Sequence, residues 1–216
     1  MNNYIIAKQV LIDNDTQVYL LNIEDNIKYI NKSIIPQIQI EEISRYKFKN
    51  DSDKRLLARS FLFEYLKEKY NISNFDLGFN EYKKPFLQLT PSINFSFSYA
   101  KNYVLIGISK RNIGIDIEYI NVKFDINEIA QEIMCKRELD WFNSCKNTSL
   151  KRIYFFQLFS AKESIIKAFG MGLHFDVKNV NTLDESRYTF NKTRFQYQEL
   201  GIWLDEYSLS VCFEID

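Results

Sequence analysis

Histidine occurs once, at His174. That excludes a mechanism built on several imidazoles, and a lone histidine with no visible partner reads as structural. Cysteine occurs three times, at Cys135, Cys145 and Cys212. The spacing is wide and the number odd, so neither a zinc pattern nor a disulfide framework is expected. These read as free thiols of a cytoplasmic protein. Six glycines and three prolines leave no flexible linker between domains. The pair Gly170 and Gly172 is too sparse for a phosphate-cradling loop. No apolar run reaches the about 18 residues a membrane-spanning helix needs. The start MNNYIIAKQVLID lacks the basic flank and apolar core of a secretory signal. An excess of either charge is also missing. Lys plus Arg equals Asp plus Glu, at 28 each, so no bulk attraction to nucleic acid or an anionic membrane is expected. Any anion site must be local.

What is present suits a globular chain. At 216 residues, 46% hydrophobic and 26% charged, the chain has material for one large or two small cored domains. Tyr4–Val10 and Gln17–Ile23 predict two strands, and Ile34–Lys47 a helix behind Pro36. Asp51, Ser52 and Asp53 offer caps to a long helix ending at Tyr70, with Leu56, Leu57, Phe61 and Leu66 as its apolar side. Strands are expected at Ile93–Ser98, Tyr103–Ser109 and Ile113–Glu118. Helices are expected over Asp125–Phe142 and from Lys151 to Phe169, the latter stopped by Gly170. The tail predicts strands at Tyr188–Phe190, Arg194–Glu199, Ile202–Leu204 and Tyr207–Glu214. Two long helices, each followed by strands, predict an α+β fold. Its two similar halves, related by a pseudo-twofold, would each pack a small, mainly antiparallel sheet on a long helix. The division is expected at 1–105 and 106–216.

Three groupings bear on chemistry. In Ile113-Gly114-Ile115-Asp116-Ile117-Glu118, strand alternation puts the isoleucines on one face and Asp116 with Glu118 on the other. Two adjacent carboxylates repel unless a cation lies between them. This is either an exposed acidic face or a seat for a hard divalent ion such as Mg²⁺. In Ser160-Ala161-Lys162-Glu163-Ser164-Ile165-Ile166-Lys167, Glu163 and Lys167 share a helix face. They are either a surface pair or a third carboxylate and a phosphate-facing cation. Lys54, Arg55 and Arg59 sit against the dipole at the expected start of a helix. Either solvent or an anionic ligand satisfies them, and Asn94, Ser96 and Ser98 would add polar groups to such a ligand.

In this order, the residues resemble the Sfp-type 4'-phosphopantetheinyl transferases. The resemblance is carried by KRLLAR at Lys54–Arg59, KKPF at Lys83–Phe86, NFSFS at Asn94–Ser98, GIDIE at Gly114–Glu118 and FSAKESIIKAFGMGL at Phe159–Leu173. It implies a Mg²⁺-dependent enzyme, with Mn²⁺ as a substitute, acting on coenzyme A and an acyl or peptidyl carrier protein as a monomeric pseudo-dimer. A serine of the carrier would attack the phosphorus nearest pantetheine and release 3',5'-ADP. The resemblance implies that Asp116, Glu118 and Glu163 hold the metal, with Glu163 as base, ligand or both. It places Lys167 at the leaving phosphate. It places Lys54 at the 3'-phosphate, with Arg55 one position away, and Lys83, Lys84, Pro85 and Phe86 against the nucleotide. Ser96, Phe97 and Ser98 would lie beside the phosphates. Three positions depart from the pattern: Phe97 replaces a histidine, Phe159 a tryptophan and Met171 a lysine. The first and last remove positive charge, which keeps a second reading open, a diverged non-catalytic module that binds coenzyme A or a carrier. Another metal-dependent phosphoryl or nucleotidyl enzyme is a third.

Overall fold

A computed structural model of the chain describes residues 3–88 and 92–216. The chain forms two compact units, one of residues 1–80 and 85–110, the other of 81–84 and 111–216. The division falls after Lys110, where the strand that spans residue 105 has ended. The fold is α+β with antiparallel sheets, as expected from the sequence.

In the first unit, β1 (Ile6–Leu11), β2 (Thr16–Asn22), β5 (Asn94–Ala100) and β6 (Tyr103–Ser109) form a four-stranded antiparallel sheet of order β1-β2-β6-β5. A short helix α1 (Ile23–Asn26) follows β2. The expected helix Ile34–Lys47 is shorter. A single 3₁₀ turn at Lys32–Ile34 precedes Pro36, and α2 runs only Gln37–Ser44. The long helix α3 (Lys49–Tyr70) lies on the sheet. It begins before the expected caps, because those side chains bond elsewhere: Ser52 Oγ donates to the Ile43 carbonyl and Asp51 pairs with Lys54. Asn71 ends it in the left-handed region at φ 55°. Leu56, Leu57, Phe61 and Leu66 are buried as expected, with Leu62, Phe63, Phe95, Val104 and Ile106 in the same core. Two three-residue strands, β3 (Leu77–Phe79) and β4 (Pro85–Leu87), pair beside this core.

In the second unit, β7 (Ile113–Tyr119), β8 (Arg187–Phe190), β9 (Thr193–Trp203) and β10 (Tyr207–Ile215) form an antiparallel sheet of order β7-β10-β9-β8. The two strands expected at Arg194–Glu199 and Ile202–Leu204 are one strand, β9. Leu200 bulges out of its pairing with β10, and Gly201 takes φ 88° there, a conformation that costs glycine little. The expected helix Asp125–Phe142 is broken into α4 (Ile126–Ile133) and α5 (Lys136–Ser144), because the Cys135 N–H donates to Glu138 Oε2 and starts a new helix. The long helix α6 (Thr148–Phe169) starts at Asn147, whose Oδ1 accepts from the Leu150 N–H, and stops at Gly170 as expected.

Candidate active site

The second unit is organised around the contact of α6 with β7. A Cβ on Gly114 would lie 2.0 Å from the Ser164 carbonyl oxygen and 2.2 Å from the Ala168 nitrogen. Real Cβ atoms do not approach that closely, so only glycine lets the helix backbone rest on the strand here. Below it, the small buried hydroxyls of Ser160 and Ser210 bond at 2.7 Å between α6 and β10. This close seat puts the even-numbered face of β7 under the helix.

That face carries the two carboxylates. Asp116 is 2% exposed, and its Oδ1 accepts a 2.6 Å bond from Lys167 Nζ. The acidic face is therefore covered by α6 at Asp116, and only Glu118 reaches its half-buried edge. Ile113, Ile115 and Ile117 are buried on the opposite face as expected. Glu163 and Lys167 are half-buried, one turn apart on α6.

The four charges form one electrostatic group. Burial, then the Asp116 and Glu163 carboxylates, push Glu118 up to about 8, against the pull of Lys167. Burial and Asp116 also raise Glu163. Burial opposes the ammonium of Lys167, but Asp116, Glu163 and Glu118 together outweigh it and hold the amine above its ordinary range. Three carboxylates against one ammonium leave an acidic group with two members at its edge. By charge and donor type it fits a hard divalent cation. Among the described residues no three acidic, imidazole or thiol side chains form a ready-made metal cluster. A cation here would therefore take the rest of its oxygen ligands from water and a bound phosphate.

The other sequence-derived candidates divide by unit. Lys83 is exposed in a left-handed turn at φ 66°. Lys84 turns inward, donating from Nζ to the Ile113 carbonyl at 3.1 Å and the Ala168 carbonyl at 3.3 Å. It thus ties the start of β7 to the end of α6, a role the sequence did not disclose. Burial lowers its amine to about 8. The His174 ring lies tilted at 50° to that of Tyr82, 5.3 Å between centroids.

In the first unit, Lys54 is buried and 3.1 Å from Asp51. It lies in the second turn of α3, past the helix start where the sequence placed it. Ser96 and Ser98 are buried on one face of β5. Phe97 turns the other way and packs into the core, with the Arg59 guanidinium 4.5 Å from its ring centre. Arg59 also donates from Nε to Gln39, and Arg55 stacks on Tyr46 and Tyr99. Pro85 is half-buried, and the exposed Phe86 lays its ring over Gly78. Gly114 has a role that residue type and spacing do not disclose, the close seat of α6 on β7. Its signal was a glycine inside a strand that otherwise alternates isoleucine with polar residues.

The family model for the 4'-phosphopantetheinyl transferase superfamily matches residues 112–212, which span β7, α6 and most of β10. The chain is 35% identical over 138 residues to the 4'-phosphopantetheinyl transferase gsp of Aneurinibacillus migulanus, covering 62% of this chain and 56% of that protein. It is 30% identical over 155 residues to the 4'-phosphopantetheinyl transferase Sfp of Bacillus subtilis, covering 71% of this chain and 67% of that protein. It is also 31% identical over 118 residues to the L-aminoadipate-semialdehyde dehydrogenase-phosphopantetheinyl transferase of Candida glabrata, covering 51% of this chain and 45% of that protein. The matched part thus spans from under half to about two thirds of these relatives' lengths.

Proposed function

Since the chain belongs to the 4'-phosphopantetheinyl transferase superfamily, we propose that it moves the 4'-phosphopantetheine group of coenzyme A onto a serine of an acyl or peptidyl carrier protein. The observation that carries this reading is the 2.6 Å bond of Lys167 on α6 to the buried Asp116 on β7, with Glu118 two residues along that strand and Glu163 one turn away on that helix. A non-catalytic binder has no physical need to crowd three carboxylates around one lysine, because their repulsion costs stability.

In this reading the serine Oγ bonds to the phosphorus that carries pantetheine. The bond from that phosphorus to the bridging oxygen breaks, and the electron pair leaves with 3',5'-ADP. Asp116, Glu118 and Glu163 would be the residues to hold Mg²⁺, with water and phosphate completing its oxygen ligands, and the ion would supply charge neutralisation at the pyrophosphate. Glu163 is at the open edge, where it takes the serine proton directly or through water. Lys167 is already an ammonium at neutral pH and faces the phosphate that leaves. Lys83 and Lys84 with Pro85 and Phe86, and Lys54 with Ser96, Phe97 and Ser98, supply the coenzyme A contacts. No helix among the described residues is long and apolar enough to cross a membrane. With three free thiols, we place the protein in the cytoplasm, as a monomer.

The test is the intact mass of an apo carrier protein after incubation with this protein, coenzyme A and Mg²⁺, beside a chelator control. The expected result is a metal-dependent gain of one phosphopantetheine group. Glu163→Gln and Asp116→Asn are each expected to remove the gain while the protein stays folded. If several diverse carriers gain no mass although coenzyme A binds, the protein is a binding module instead.

A further inference from the structure

The residue beside Glu163 points away from the site and into a second cluster of charge. Lys162 Nζ lies 2.8 Å from Glu138 Oε2, and both side chains are completely buried. The same ammonium donates to the Val177 carbonyl at 3.1 Å and to the Val180 carbonyl. An ammonium has three donors, so all are used. Glu138 is equally engaged. Its Oε2 also accepts the Cys135 N–H at 2.9 Å, and its Oε1 accepts the Thr182 N–H at 2.8 Å and the Thr182 hydroxyl at 3.0 Å. One ion pair thus joins the start of α5, the middle of α6, the 3₁₀ turn Val177–Asn179 and the segment after it.

Such a pair is a poor source of stability, because desolvating two charges offsets most of their attraction. What it specifies is geometry. Lys162 meets its three acceptors at one rotation of α6 about its axis. Successive helix residues are about 100° apart, so fixing Lys162 fixes the directions of Glu163 and Lys167. On the other side, Gly114 sets how close the helix comes to β7. We infer that the Lys162–Glu138 pair is a positioning device that sets the roll of α6, and so holds Lys167 on Asp116 with Glu163 beside them. Only the kinetic part of the test rests on the transferase reading.

The experiment is the double variant Lys162→Met with Glu138→Gln, which removes both charges and keeps an acceptor for Thr182. Expected are cooperative unfolding near the native Tm, a KM for coenzyme A within about twofold of native, and kcat lower by about tenfold or more, as when supporting residues of a site are lost. A crystal structure of the variant needs no turnover. It is expected to show Lys167 Nζ beyond hydrogen-bond reach of Asp116. A folded double variant with native kcat and the Asp116–Lys167 bond intact overturns the inference. If the double variant does not fold, Thr182→Val removes one hydrogen bond to Glu138, and a kcat equal to native there overturns it. Native protein that modifies no carrier would instead refute the transferase reading, and the crystallographic comparison would still decide the positioning role.

Discussion

Lys167 Nζ sits 2.6 Å from Asp116 Oδ1, the ammonium 31% exposed and the carboxylate 2%. The pair is lopsided. Asp116 has little access to water, and Lys167 is the cation bonded to it. Lys167→Met therefore leaves an uncompensated buried charge and is expected to cost about 3–5 kcal/mol. Asp116→Asn with Lys167→Met should cost less than Lys167→Met alone. Urea unfolding of the two single variants and the double variant measures this. A loss below about 1 kcal/mol for Lys167→Met, the range of an exposed pair, would show that Asp116 finds another counter-charge.

Gly114→Ala places a methyl where the Ser164 carbonyl and the Ala168 nitrogen already are. Neither is a flexible side-chain end, so the whole helix must shift. The expected cost is about 1–3 kcal/mol or somewhat more, together with a fall in kcat, because the shift carries Glu163 and Lys167 off β7. Denaturation midpoints and transfer rates check this. Native activity in a folded Gly114→Ala protein would show that the site tolerates a displaced helix.

The proton on Glu118 links stability to pH. Its ordinary value is 4.5 and the folded value about 8. The folded state keeps a proton that the unfolded chain has lost over that window. The stability it contributes is full below 4.5, falls as pH rises, and is gone above about 8. A cation at the proposed site replaces that proton. The rise in Tm on adding Mg²⁺ should therefore grow from pH 5.5 to pH 8, and Glu118→Gln should flatten the trend. Thermal scans with Mg²⁺ or chelator test this. A metal-induced shift that stays level or shrinks towards pH 8 contradicts it.

Lys84 has the opposite linkage. Burial brings its amine from 10.5 to about 8, so the folded state releases this proton first. The stability tied to it rises between about pH 8 and 10.5. Lys84→Met removes two bonds to the Ile113 and Ala168 carbonyls. It is expected to cost about 1–3 kcal/mol at pH 7 and to flatten that rise. A variant with unchanged stability and weakened coenzyme A binding would make Lys84 a ligand contact alone.

Much of this molecule is legible along the chain. The strand Ile113–Glu118 and the stop at Gly170 lie where alternation and punctuation put them, because both signals act between near neighbours. Helix starts were less legible. Asp51 and Ser52 have the right side chains for a cap but are drawn to Lys54 and the Ile43 carbonyl. The break between α4 and α5 depends on Glu138 reaching back to Cys135, and cysteine is not a usual start signal. The Leu200 bulge depends on β10, a partner that local pattern does not contain.

The sequence by itself determined which groups are available for chemistry. One histidine and three scattered cysteines leave carboxylates and lysines, and their order along the chain points to the transferase family. Tertiary structure alone decided which of them meet. Asp116 and Lys167 are far apart in sequence and become hydrogen-bonded because Gly114 lets α6 rest on β7. Lys84 also ties that strand to that helix through the Ile113 and Ala168 carbonyls. Lys162, one step from Glu163 in the chain, is withdrawn into a separate buried pair. Burial, charge coupling and close packing act through space, so residue order lists the candidates and the packing of α6 on β7 assigns their roles.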